Sequence, residues 1–386
     1  MNPKMRRMLV IFILSAAALS GCKKKGCTDA EAENYNPEAK KDDGSCTFAE
    51  LEIPATYLFE DASGNNTVSY SGQTERLNQL TEMTTYMKTG TTTVLSETAL
   101  LDMFANSGGD GGGNFSFTST KKLKDKCFAA DTIEYMNWMD SLAVASVDFA
   151  STASSGQSGT LTSGTSTYLF SQNGIEYTQL IEKGLMGAVF LYQATNVYFG
   201  EDEMNVDNTT AVDPSAGEYF TEMEHHWDEA FGYFGVPVDF PGNTTDIRFW
   251  GKYCNTRNAD LGCNAIMMNA FLKGRAIIQQ QFETSLRDDE IYTLRRMWEK
   301  ISAAQAVAYL EEAQSNFGTD NAKFLHELSE AYAFITALKY VPLETRVISY
   351  TEIDNLLETV IGDNFWAVTT IDLTTAINEL NSIYGF

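Results

Sequence analysis

Histidine occurs only three times in the 386 residues, and each copy stands about one helical turn from a carboxylate. His225 and His226 are adjacent; Glu222 and Glu229 flank His226, and Glu330 follows His326. On a helix these spacings put imidazole and carboxylate on one face. Imidazoles suit a borderline divalent ion and carboxylates a harder one, so the ligand set fits iron, with zinc second. Helical bundles build such centres from side chains that project inward from facing helices. The candidate metal ligands are therefore His226, Glu229, His326, Glu330 and Glu222. His225 lies about 100° round the helix from His226, so the two are not equally placed for one ion. The competing reading is a set of solvated intrahelical pairs with no special use.

The elements that must position these residues are legible from caps and periodicity. Asp213 as N-cap and Pro214 as first residue predict a helix running to the Gly235-Val236-Pro237 stop. Along it Phe220, Met223, Trp227, Phe231 and Phe234 form one stripe, and Glu222, His226, Glu229 and Tyr233 a second on the opposite side. Thr319 or Asp320 caps the His326 helix, whose seam is Phe324, Leu328, Ala331, Ile335 and Leu338. Behind that seam lie His326, Glu330, Ala333 and Ala337, and alanine there permits close approach of another helix. Residues 175–199 are apolar on nearly every face from Gly184 onward, which predicts a helix buried all round at the centre of a bundle. Its Gln193 and Asn196 require partners, either the histidine helix or backbone groups.

Further helices are expected from Gln73 to Gly90, over 97–104 and 131–147, in two long stretches after Ala265, and twice between Tyr350 and Phe386. Residues 48–72 read as extended or a short hairpin, and Ser107–Asn114, Ser151–Thr167 and residues 236–264 as loops or irregular connection. Lys273, Arg275, Arg295 and Arg296 are expected in a salt-bridged face with Asp288, Asp289 and Glu290 rather than around an anion. The fold class is all-α, one helical bundle or two packed together. No nucleophile elbow, phosphate-binding loop or dinucleotide fingerprint is present.

Acidic residues outnumber basic ones 52 to 27, a net charge of −25, and such a surface repels nucleic acid. Lys4, Arg6 and Arg7 precede an apolar run from Met8 to Leu19, too short for a span of about 20 residues but suited to a signal peptide. The run ends in Leu19-Ser20-Gly21-Cys22, which resembles a bacterial lipobox. The expected organisation is a signal peptide over 1–21, a tether over 22–49 lipidated at Cys22, and a helical domain over 50–386. Membrane attachment is then through lipid alone, in the cell envelope and most simply at the outer membrane.

Six cysteines suit an oxidising compartment. With Cys22 lipidated, spacing suggests disulfides Cys27–Cys46 and Cys254–Cys263 and leaves Cys127 over. Between the first two, Asp29, Asn34, Asn36, Asp42 and Asp43 offer oxygens, but their spacing departs from an EF-hand loop, so a stapled spacer is expected in preference to a calcium site.

The segments SYSGQTERL, LIEKGLMGAVFLYQATNVYF, HHWDEAFGYFG, FWGKYCN with FLKGRAII, and HELSEAYAFITALKY resemble the domain-of-unknown-function family 4856 of Bacteroidota lipoproteins. That family is similar to the imelysins, helical-bundle envelope proteins that are often iron-regulated. The resemblance implies an imelysin-like bundle and a GxHxxE motif, of which His226 and Glu229 match the HxxE part; Glu224 stands in place of the glycine. His326-Glu327-Leu328-Ser329-Glu330 is similar to the HExxH zinc-protease motif but ends in glutamate.

Three functions follow as expectations. The first is an envelope lipoprotein that binds a metal ion, iron foremost, in uptake or homeostasis with an envelope partner. The second is a metallopeptidase in which Glu229 or Glu327 activates a metal-bound water. The third is a scaffold that holds a ligand or partner without metal.

Overall fold

The computed structural model describes residues 23–30 and 32–386. The expected signal peptide and the lipid-bearing Cys22 lie outside the described residues. The chain divides into two compact units, residues 1–52 and 53–386.

In the first unit a Cys27–Cys46 disulfide closes the tether segment, as the spacing suggested. Asn34, Asn36, Asp42 and Asp43 each accept a backbone N–H, from Thr47, Glu38, Gly44 and Ser45. Their oxygens thus hold turns.

The second unit is all-α apart from one hairpin. Its helices are α1 (Ser71–Lys88), α2 (Glu97–Ala105), α3 (Thr132–Ser146), α4 (Tyr177–Leu185), α5 (Glu201–Met204) and α6 (Glu222–Phe234). They are followed by α7 (Phe249–Leu261), α8 (Cys263–Gln279), α9 (Thr284–Asn316), α10 (Asn321–Ala337), α11 (Tyr350–Asp354) and α12 (Thr370–Tyr384). No helix among the described residues is long and apolar enough to cross a membrane.

The centre is the rod foreseen in the all-apolar stretch. α4 continues through two π-helical stretches, Met186–Leu191 and Gln193–Tyr198, and Leu185 to Leu191 are completely buried. Such stretches widen the helix locally while keeping its backbone groups paired. Gln193 donates to the Lys126 carbonyl at 2.9 Å and Asn196 to that of Tyr340 at 2.6 Å, so both amides serve backbone rather than the histidine helix. Around this rod α10 packs on both α4 and α9, and α9 also supports α8 and α12. The alanine face of α10 is used as its composition implied: a Cβ on Gly187 of the rod would stand 2.9 Å from that of Ala337. At the chain end Tyr384 donates to Glu299 at 2.8 Å, which docks the aromatic tail.

Four local expectations are corrected. Asp213 caps only the single turn Pro214–Ala216, which Gly217 ends at φ 85°; the histidine helix starts eight residues later, at Glu222. Ser151–Thr167 is not all loop, because β1 (Gly159–Ser163) pairs antiparallel with β2 (Ser166–Phe170) around Gly164, with Thr162 and Thr167 hydroxyls bonded across it. Threonine and aromatic residues favour such pleated pairing. Residues 249–261 form α7 inside the supposed irregular connection; its apolar side, Phe249, Trp250 and Tyr253, is confined to its first turns. Finally, Cys254 and Cys263 are buried free thiols, as is Cys127. Cys254 donates to the Asn264 side chain and Cys263 to the Cys254 carbonyl, so each thiol has a hydrogen-bond acceptor in place of a bridge.

Candidate functional site

α6 begins with a capping box: the Thr221 hydroxyl accepts the Glu224 N–H and the Glu224 carboxylate accepts the Thr221 N–H. Gly235, at φ 78°, ends it in the left-handed conformation. Trp227 anchors one side, its indole N–H donating to the Phe271 carbonyl at 3.0 Å and its ring lying over Gly274 of α8. The second stripe also faces protein rather than solvent, except at its start. Tyr233 is wholly buried, His226 and Glu229 are mostly covered, and only Glu222 is exposed. Glu222 is therefore removed from the ligand set, since its carboxylate points to water a turn ahead of His226.

Glu203 of α5 takes its place. His226 meets Glu203 through Nε2 at 2.8 Å and Glu229 through Nδ1 at 3.4 Å. Glu229 also lies 4.0 Å from Nε2 of His225, so one carboxylate stands between both imidazoles. This outcome differs from the helical-wheel argument, which set His225 aside: a glutamate three and four residues on reaches back to either ring. His225 is oriented by its other nitrogen, since Nδ1 lies 3.1 Å from the Ser69 carbonyl, an acceptor. The carbonyl can only accept, so Nδ1 donates to it, and Nε2 is the nitrogen turned toward Glu229. Gln73 of α1 donates to Glu229 at 2.7 Å and fixes that carboxylate from below. Burial raises the Glu229 pKa, but hydrogen bonding to His226, the His225 charge, Gln73 and Lys126 outweigh it, and the carboxyl is held below its ordinary value.

The floor of the site is aromatic. Tyr198, at the far end of the rod, stacks near His226 with ring centroids 6.2 Å apart, and Lys126 sits 5.3 Å above the Tyr198 ring. Burial pushes the Tyr198 phenol pKa up and the Lys126 ammonium pKa down. The opening is on the α5 side: the side chains of His225 and Glu203 are 33% and 34% exposed, enough for a small solute to reach them.

Behind the site a buried ion pair holds the segment that supplies Ser69. Arg275 of α8 donates to Asp228 at 3.0 Å, Glu224 at 2.7 Å and the Thr67 carbonyl at 3.0 Å. Asp228 accepts in addition from the Tyr57 hydroxyl and the Ser69 N–H. Both oxygens of the buried Asp228 carboxylate thus have donors, the condition under which such a pair is tolerated.

His326 and Glu330 belong to a different place. His326 meets Glu176 through Nδ1 at 2.6 Å and Glu330 through Nε2 at 3.4 Å. Glu330 in turn meets the buried Lys183 ammonium at 3.1 Å, and Lys183 pairs also with Glu182 at 2.7 Å. A metal ion on Glu330 would face that second cation, so the set is a closed polar core rather than a ligand shell. Glu176 precedes the rod and Tyr198 ends it, so His326 and His226 touch opposite ends of a helix about 30 Å long at roughly 1.5 Å per residue. One ion shared by both histidines is excluded by that separation. Glu327, the glutamate of the protease-like motif, accepts from Asn316 and pairs with Lys323, away from both rings of the first site. Among the described residues no group of three or more His, Cys, Asp or Glu side chains stands already arranged around one point for a metal ion.

A family model described as "Domain of unknown function (DUF4856)" matches residues 54–386. The chain belongs to this family. The match covers all of the second unit except Ile53, and therefore α6, α5 and both histidine sets. No curated protein and no solved structure matches the chain. Within this DUF4856 domain the residues that sequence reasoning missed are Glu203, Gln73, Ser69 and Lys126. Only Glu203 carried any signal, as part of the acidic run Glu201-Asp202-Glu203 just before the histidine helix.

Proposed function

We propose that this DUF4856 protein is an imelysin-like envelope lipoprotein that captures a divalent transition metal, iron foremost, on the α6 face formed by His225, His226 and Glu229. The observation that carries the reading is the position of Glu229 between two imidazole nitrogens, with Glu203 on the far nitrogen of His226 and the Ser69 carbonyl on the far nitrogen of His225. Protein metal sites use such outer acceptors to fix the tautomer and aim the free lone pair at the ion. Two imidazoles and one carboxylate form the donor set of non-haem ferrous sites. His225 through Nε2, His226 through Nδ1 and Glu229 would hold the ion, and Gln73 would keep the carboxylate aimed. The aromatic floor of Tyr198 and Tyr233 excludes water from one side, while the α5 side stays open to solvent. The HxxE match at His226 and Glu229, and the lipobox-like Leu19-Ser20-Gly21-Cys22, support the envelope and imelysin-like parts of the reading.

The test is metal content of the purified full chain after loading with ferrous iron or zinc, by elemental analysis and by calorimetric titration. One ion per chain, lost in His225→Ala, His226→Ala and Glu229→Gln and kept in His326→Ala, is the expected result. Absence of stoichiometric metal in the unaltered chain, or its retention when all three ligands are replaced, would overturn the reading.

A further inference from the structure

A cavity of about 700 Å³ lies beside α5 and the end of the rod, lined among others by Phe199, Met204, Arg287, Ile291, Tyr292 and Arg295. That volume is in the range of small-molecule sites. α5 supplies Glu203 to His226 and also lines this cavity with Glu201 and Met204, yet none of the proposed metal ligands faces it.

Its walls hold two arginines that are almost entirely buried, Arg287 at 4% and Arg295 at 9% exposed, in a protein whose net charge is −25. Both guanidinium groups are anchored on backbone. Arg295 donates through Nε to the Thr195 carbonyl and through Nη2 to that of Phe199, each at 2.9 Å. Arg287 donates through Nη1 to the Met204 carbonyl at 2.7 Å. These bonds fix the planes of the two forks before any ligand arrives.

Their counter-charges are of the opposite kind. Arg295 Nη1 reaches Glu344 at 3.1 Å, and the Glu344 side chain is 64% exposed. Arg287 donates to Asp288 through Nε at 3.0 Å and Nη2 at 2.7 Å, and that side chain is 58% exposed. A buried cation is therefore paired in each case with a carboxylate that is itself largely solvated, and that carboxylate can turn fully into water with little further desolvation to undo. Capping the carbonyls of Thr195, Phe199 and Met204 accounts for the anchored nitrogens, but not for a cavity left open beside both forks. Ile291 and the half-exposed Tyr292 add an apolar flank.

We propose that this cavity binds a small organic anion of the carboxylate or phosphate class, whose charged groups replace Glu344 and Asp288 on Arg295 and Arg287 while its carbon skeleton lies along Ile291 and Tyr292. Arginine is suited to this exchange because its fork matches either oxyanion. The exchange involves no covalent step, and it leaves Glu344 and Asp288 to turn outward into water.

The experiment is calorimetric titration of the metal-stripped full chain with succinate and, separately, with inorganic phosphate, with glycerol as the uncharged control. Saturable binding of either anion, and none of glycerol, is expected; the tighter of the two anions names the ligand class. Glu344→Gln removes the competing carboxylate from the surface and is expected to tighten binding about tenfold, the size of one charge-assisted hydrogen bond. Tyr292→Ala, at an exposed position, is expected to weaken it several-fold without loss of fold, and His226→Ala to leave it unchanged. Binding of neither anion to the unaltered chain or to Glu344→Gln would overturn the proposal. So would binding that is indifferent to both cavity substitutions, since the anion would then sit elsewhere.

Discussion

His225 and Asp228 are joined through the backbone of one residue, Ser69: its N–H donates to Asp228 at 3.0 Å, and its carbonyl meets His225 Nδ1 at 3.1 Å. The buried Arg275 ion pair and the half-covered imidazole are thereby parts of one construction. What clamps the 53–70 segment onto α6 also sets the orientation of His225.

Replacing Asp228 therefore has two effects. Asp228→Asn leaves Arg275 with Glu224 as its only carboxylate, and losing one partner of a buried pair costs about 3 kcal/mol. Urea unfolding should show that loss. The same variant, titrated with ferrous iron below its unfolding midpoint, should bind more weakly than the unaltered chain because Ser69 is no longer held; equal affinity would show that His225 is oriented independently.

Glu203 and Glu330 separate the two histidine sets. Glu203→Gln should weaken metal binding about 10- to 100-fold, as loss of an outer-shell carboxylate does. Glu330→Gln should leave metal affinity unchanged and reduce stability instead, because Lys183 loses a buried partner. Calorimetry and denaturation on both variants distinguish the roles.

His326 should make stability depend on pH. Burial lowers its pKa, but Glu176 and Glu330 outweigh both burial and the Lys183 charge, and the folded value is raised above 6.5. A raised histidine binds its proton more tightly in the folded state, so its stabilisation is complete below about pH 6.5 and is lost as pH rises through the folded value. The difference in unfolding free energy between the unaltered chain and His326→Gln should thus be largest near pH 6 and shrink toward pH 9. A difference that grows with pH would contradict the assigned contacts.

Gly274 permits the closest approach of α6 and α8. A Cβ there would stand 2.1 Å from two carbons of the Trp227 ring, and the neighbouring Phe199 and Phe271 rings leave the indole little room to move. Gly274→Ala should destabilise by about 1–3 kcal/mol, the usual cost of overpacking, despite its gain in helix propensity. Thermal unfolding measures it.

Cys127, Cys254 and Cys263 should react with a thiol reagent only after unfolding. All three are buried as free thiols, and burial pushes the Cys127 thiol up to about 12. Rapid labelling of the native protein would count against their burial, and absence of the Cys254 and Cys263 thiols in the denatured, unreduced protein would count against the unbridged arrangement.

Most helices were legible because their causes are local. Leu77, Leu80, Met83 and Met87 repeat at helical spacing in α1, Asp320 caps α10, and the unbroken apolar run after Gly184 can be accommodated only by burial on all sides. The Cys27–Cys46 bridge was equally local, between two cysteines of a short segment. The carboxylate within reach of His226, Glu229, followed from spacing alone, because three residues along a helix always bring two side chains to one face.

What tertiary structure alone decided was every partner drawn from another element. Glu203 meets His226 across 23 residues of chain, and Gln73 meets Glu229 and Ser69 meets His225 each across 156, distances over which periodicity carries no information. The fate of His326 was decided in the same way, since Glu176, just before the rod, meets His326 and Lys183 of the rod meets Glu330, which turns a ligand-like pair into a closed ionic core. Even the exclusion of Glu222 is tertiary: its spacing to His226 is ideal, but α6 meets its neighbours only from Met223 onward. Sequence sets which side chains share a face; the packing of other helices sets whether that face is covered, and by what charge.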